Sequence, residues 1–218
     1  MAVQLAPMLS GAAIIAFSLA LACGHRCWDW TATLATAHER LRVREMLIRP
    51  LQNDDADTLW AARLQALRES PAAFLSTLAE AVGDTAQVMR TQLDDPHTRY
   101  FGAFDQATLV GFLRYVRPVR LARRHTAEIH SVHVGAGHRG QGIARQLFLA
   151  AFAAAHADGI ESLTLTVLAD NAAARALYVS LGFIESGIEP RAVKRDGRYV
   201  DTVSYWISVI SHPPSPEP

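Results

Sequence analysis

From residue 46 onward, the apolar and polar positions follow two rhythms. "MLIRPL" (46–51) reads as a short strand, and Asp54 or Asp55 can cap a helix whose apolar positions Leu59, Ala62, Leu64 and Leu67 fall at helical spacing. "SPAAF" (70–74) interrupts it, with Pro71 suited to a first helical turn. One further helix is expected across "LAEAVGDTAQVMRTQL" (78–93). The period then shifts to two. "TRYFGAFD" (98–105) and "TLVGFLRYVRP" (108–118) predict an antiparallel hairpin turning near Asp105, and "TAEIHSVHV" (126–134) is a third strand.

Residues 142–156 predict a long helix with Ile143, Leu147, Ala151 and Ala154 on one stripe. "SLTLTVL" (162–168) is a strand, and "NAAARALYVSLG" (171–182) is a helix stopped by Gly182. "FIESG" (183–187) and "YVDTVSYWISV" (199–209) are closing strands, with "RDG" (195–197) as a turn. The order predicts a mixed α/β (α+β) domain: a central sheet of about six to seven strands flanked by about four helices.

Composition adds limits. The chain has 218 residues, 50% hydrophobic and 19% charged, enough to bury one substantial core over residues 46–209. Its 21 basic residues balance 21 acidic ones, so it has no general field for nucleic acid and any anion site must be local. Cys23 and Cys27 lack a second pair for a zinc site or disulfide framework, and they read as incidental thiols of a reducing, cytoplasmic compartment; no metal is expected. Residues 1–45 stand apart as an extension. "MLSGAAIIAFSLALAC" (8–23) is uncharged like a signal core or short anchor, yet no Lys or Arg precedes it, and the first is Arg26. A dispensable extension, or a start at Met46, is preferred to a membrane anchor. The tail "SHPPSPEP" (211–218) has a disordered composition.

The chemistry concentrates in "HVGAGHRGQGIARQLF" (133–148), where Gly135, Gly137, Gly140 and Gly142 stand between a strand and a helix. The first N–H groups of a helix lack partners and carry the positive end of its dipole, so glycines there clear the way to a phosphate. Neither a nucleoside-triphosphate loop nor a dinucleotide fingerprint fits, because the Lys-Ser/Thr and the required glycine spacing are missing.

Arg139, Gly140, Gln141, Gly142, Ile143 and Ala144 do form Arg-x-x-Gly-x-Ala after a Val132–His133–Val134 strand end. This resembles the pyrophosphate-binding motif of the GNAT N-acetyltransferase superfamily. "LTLTVLADNAAARALYVSLGF" (163–183), with Asn171, Tyr178, Leu181, Gly182 and Phe183, resembles the same family's later motif, in the right order and at the right separation. Asn171 also reads simply as a helix N-cap, and Tyr178 as filler beside Phe183.

The resemblance implies acetyl-coenzyme A as co-substrate and a primary amine of a small molecule or peptide as acceptor, with a homodimer left open. It gives Tyr178 the role of acid toward the departing thiolate, since a phenol with pKa near 10 keeps its proton at pH 7. It gives a backbone N–H near Val134 the thioester carbonyl, His133 acting through its main chain. Some relatives carry a glutamate base where this chain has Thr166; Glu128 and His130, two apart on one strand face, are the substitutes. Residues 64–82 and the closing hairpin are expected to wall the acceptor, with Glu69, Glu80 and Asp201 as acids able to attract a cationic amine. A catalytically silent coenzyme A-binding module is the rival reading.

Overall fold

A computed structural model describes residues 46–82 and 85–210. The apolar stretch 8–23 and the tail 211–218 lie outside them, as do the expectations placed there. Among the described residues no helix is long and apolar enough to cross a membrane, and no group of metal-ligating side chains is found.

The strands are β1 (Met46–Pro50), β2 (Thr98–Asp105), β3 (Thr108–Val116), β4 (Thr126–Val134), β5 (Ser162–Leu168), β6 (Ile184–Arg195) and β7 (Arg198–Ser208). The described helices are α1 (Ala56–Glu69), α2 (Leu78–Val82), α3 (Ala86–Asp94), α4 (Ile143–Ala157) and α5 (Ala172–Ser180). One seven-stranded sheet runs β1-β2-β3-β4-β5-β7-β6. Among the described strands only β4 and β5 pair in parallel. Its two faces carry separate cores. Phe101, Leu113, Ile129, Leu147, Phe148 and Tyr178 belong to one, with α4. Leu59, Leu67, Met89, Tyr100 and Phe112 belong to the other, with α1 and α3.

Local chemistry explains the element ends. Asp55 receives the Arg49 guanidinium at 2.7 Å through both oxygens, and its carboxyl is held below the usual range by that contact. The helix expected across residues 78–93 is in fact two. Thr77 and Glu80 form a reciprocal cap at the start of α2, while the Thr85 hydroxyl accepts from the Gln87 N–H and starts α3 afresh. The stripe of α4 also differs by one position: Ala155 is fully buried where Ala154 is only partly so. The buried face is centred between Ile143 and Phe148 rather than on Ile143, so at ~100° per residue Ala155 turns in with Phe148 and Ala154 lies toward the edge.

The closing hairpin is longer than expected, since β6 continues through "EPRAVKR" to Arg195. Register shifts at Glu185/Gly187 and Glu189/Val193 let it curl while it stays paired to β7. Such bulges hide the alternation that marks a strand in sequence.

Candidate active site

The site arises where the sheet comes apart. β4 pairs with β5 only from Thr126↔Ser162 to Ile129↔Leu165. Beyond that, β5 stays with β7 along its whole length while β4 continues to Val134 alone on that side. A bulge opens the way. Arg114 lies opposite His130 and Phe112 opposite His133, so three β3 residues face four of β4, and Ser131 takes a φ of 51°. The gap lies at the C-terminal ends of this parallel pair, where α/β sheets place ligands. It widens into a cleft of about 1610 Å³ that reaches both faces of the sheet.

The free edge of β4 has a definite polarity. Gly135 N–H donates to the Val110 carbonyl at 2.8 Å. Hydrogen-bonded pairs alternate in an antiparallel ladder, so Val134, opposite Gly111, is a non-bonded pair with respect to β3. Its N–H and C=O therefore point into the gap. The carbonyl is already taken, by Arg139 Nε at 3.0 Å.

The glycine loop completes one wall. Gly142 is the N-cap of α4 and offers no side-chain cap, in contrast to Asn171 on α5, whose Oδ1 accepts from the Ala174 N–H at 3.2 Å. The first N–H to bond back is that of Gln146, to the Gly142 carbonyl. Ile143, Ala144 and Arg145 N–H groups are thus left facing outward. Gly140 and Gly142 have φ of 75° and 77°, and a Cβ at either would enter open space rather than meet protein. These two glycines hold a left-handed turn and keep an empty cradle clear.

The other predicted residues sort themselves by contact. Tyr178 is buried at 6% exposure among Phe148, Phe183 and Tyr205, and it lines the cleft. Burial, then the nearby Tyr205, pushes its phenol up to about 12. The Arg139 guanidinium is turned back onto the protein, with Nη2 donating to Ser70 Oγ at 2.8 Å, so it braces the loop against the α1 end. Gln141 likewise donates to the Gly137 carbonyl. Val132, His133, Val134, Gly140, Gly142, Ile143, Ala144 and Asn171 all line the cleft.

Glu128 lies 2.9 Å from Arg123 and 3.3 Å from His130 Nε2, and both Glu128 and His130 face the cleft. Burial first, then Arg114, lowers the His130 pKa and keeps the ring neutral. The His133 imidazole has a structural part. It is wedged between Phe74 and Phe112, 3.9 Å from Glu69, and burial with Arg139 nearby depresses its pKa to about 4.

Two of the three acids expected to attract an amine are spoken for elsewhere. Glu80 caps α2, and Asp201 accepts from the Arg191 N–H at 2.7 Å; neither borders the cleft, whereas Glu69 does. Both expected walls are present: Phe74 and Ser76 on one side, Val193 and Tyr205 of the β6–β7 hairpin on the other. Arg195 Nη1 ties them together by donating to the Pro71 carbonyl at 2.7 Å. Sequence reasoning missed Ser131, Arg63 and Arg114 in the cleft. A non-glycine bulge has no local signature, and the two arginines meet only through the tertiary fold.

Residues 64–183 match the model of the acetyltransferase (GNAT) family, and the chain belongs to that family. Among curated proteins it is similar to the N-alpha-acetyltransferase RimI of Mycobacterium tuberculosis, 35% identical over 108 residues, which is 49% of this chain and 65% of that protein. It is also similar to an L-methionine sulfoximine/L-methionine sulfone acetyltransferase of Pseudomonas aeruginosa, 37% identical over 78 residues, 36% of this chain and 45% of that one. The matched stretch thus spans less than two thirds of either relative. A solved GNAT-family acetyltransferase of Streptococcus pneumoniae superposes with a TM-score of 0.68 at 25% identity, covering 75% of this chain and 99% of that one.

Proposed function

We propose that the protein transfers the acetyl group of acetyl-coenzyme A to a primary amine of a small molecule or peptide. One observation carries this: the split between β4 and β5 brings the uncapped start of α4, the inward N–H of Val134 and the Tyr178 side chain onto a single cleft.

Each part has a task. The N–H groups at the start of α4, with the cradle kept clear at Gly140 and Gly142, receive the diphosphate. The Val134 N–H donates to the thioester carbonyl as negative charge gathers on its oxygen. Glu128, through His130 or a water, takes the proton that a mostly charged amine must lose. The amine nitrogen then bonds to the carbonyl carbon and the C–S bond breaks. Tyr178, protonated at neutral pH, gives its proton to the departing sulfur, and the second proton shed by the nitrogen as the amide forms restores the phenol. Support for the acceptor class comes from two relatives, one named an N-alpha-acetyltransferase and one named for L-methionine sulfoximine and L-methionine sulfone.

Calorimetric titration with acetyl-coenzyme A, followed by a thiol-release assay across amines, amino acids, polyamines and peptides, tests the reading. Binding with turnover of an amine supports it. Binding without turnover of any acceptor indicates the silent module, and no binding refutes the site.

A further inference from the structure

On the α1 side of the cleft stand two arginines that form no direct ion pair among the described residues. Arg63, on α1, donates only to hydroxyls: Nη2 to Ser76 Oγ at 3.1 Å and Nη1 to Ser131 Oγ at 3.4 Å. Arg114, on β3, has its guanidinium over the Tyr100 ring, 5.9 Å from the centroid, and forms no ion pair among the described residues. The Nε atoms of both are buried without a hydrogen-bond partner. Both arginines line the cleft, and both ease ionisation of the Tyr100 phenol against the burial that raises its pKa.

Carboxylates on the surrounding elements are committed. Glu128 holds Arg123 and His130. Asp95 accepts from the His97 N–H and the Thr98 hydroxyl and feels the Arg114 charge without pairing to it directly, and Glu69 accepts from Gln65 and the Ala136 N–H. Two part-buried guanidinium groups without a direct ion-pair partner, each with a buried Nε unbonded, are costly in the free protein, and an arriving anion offsets that cost.

The anion does not belong to the donor. Arg114 lies opposite His130, four residues before Val134 on β4, or about 13 Å back along the strand at ~3.3 Å per residue. It also lies on the sheet face of Tyr100 and Phe112, whereas α4 and its glycine loop pack on the other. A planar guanidinium fork matches a carboxylate through two parallel hydrogen bonds.

We propose that Arg63 and Arg114 form a subsite for a carboxylate on the acceptor, so that the amine acetylated here is that of a free amino acid. This rests on reading the cleft as an acetyltransferase site. The carboxylate would be received on the α1 face, with the amine directed toward the gap between β4 and β5.

The test uses the full chain with acetyl-coenzyme A and a panel of L-amino acids, each beside its own α-carboxamide and the corresponding decarboxylated amine. At least one acid should exceed its carboxamide by about tenfold or more in kcat/KM. Arg114→Gln and Arg63→Gln should each raise KM for that acid about 30-fold, the order expected when one partner of a buried charge pair is removed. Arg63→Gln should leave the carboxamide within about twofold, and both variants should leave the affinity for acetyl-coenzyme A unchanged. That affinity also shows that the variants are folded, and the acid–amide comparison needs no variant at all. If carboxamides or simple amines are acetylated as well as acids, if no acid is acetylated, or if Arg63→Gln slows every acceptor alike, the carboxylate subsite is overturned while the acetyltransferase reading stands. Failure to bind acetyl-coenzyme A would instead remove that reading and this one with it.

Discussion

At the scale of single residues, Tyr178 and Gly142 carry separable parts of the chemistry. The Tyr178 ring is locked edge-on against Phe148, Phe183 and Tyr205, so removing only its hydroxyl leaves the packing in place. Tyr178→Phe should lower kcat by about 10²-fold or more, the usual scale of general acid catalysis, with the Kd for acetyl-coenzyme A unchanged. Turnover equal to the parent in the thiol-release assay would take Tyr178 out of the mechanism. Gly142→Asp brings a Cβ to a φ of 77° and a negative charge to a cradle meant for phosphate. Calorimetry should show acetyl-coenzyme A binding abolished while the circular dichroism of the fold persists.

His133 provides a residue-scale test of the fold's pH dependence. Its pKa is about 4 in the folded chain against an ordinary 6.5. Between those values the unfolded chain holds more protons, so stability rises with pH across that window. The contribution is complete above pH 6.5 and lost as pH falls to 4, and amounts to about 3 kcal/mol at most. His133→Phe should flatten the fall of Tm between pH 6.5 and 4. Parallel Tm curves for variant and parent would remove the assignment.

At the scale of elements, α4 matters most because it serves two masters. Its start presents bare N–H groups to the cleft, while its inner stripe of Ile143, Leu147, Phe148, Ala151 and Ala155 fastens it to the sheet. Phe148 is fully buried and touches the rings of Phe152, Tyr178 and Phe183. Phe148→Ala should therefore cost about 3–5 kcal/mol of stability by urea denaturation, and it should also loosen Tyr178. A loss under about 1 kcal/mol would mean that the aromatic cluster does not hold α4 in place. α5 shows the contrasting use of a helix start: the Asn171 side chain closes it, so its sequence signal was an ordinary cap. The single expected helix over residues 78–93 went astray because apolar periodicity runs across Thr85, whose cap is read only with backbone geometry in hand.

For the whole molecule, the described sheet opens with β1 at Met46, and the residues of both described cores come from that point onward. A chain lacking those residues should melt cooperatively and bind acetyl-coenzyme A with the affinity of the full chain. Loss of folding on that deletion, followed by circular dichroism, would show the extension to be structural.

Much of this protein was decided by the sequence alone. Strand and helix identities follow from local periods of two and 3.6, and the glycine loop and the Asn171–Tyr178–Phe183 stretch are contiguous signals whose chemistry sits in neighbouring residues. What only the tertiary structure decided is where the sheet parts. The bulge at Ser131 has no glycine to announce it, and the loss of pairing after Ile129 depends on β5 staying with β7. The same holds for Arg63 and Arg114, which are about 50 positions apart in the chain and share a cleft only because α1 packs on the face of β3. Periodicity is a property of neighbours along the chain, whereas gaps and charge pairs are properties of neighbours in space.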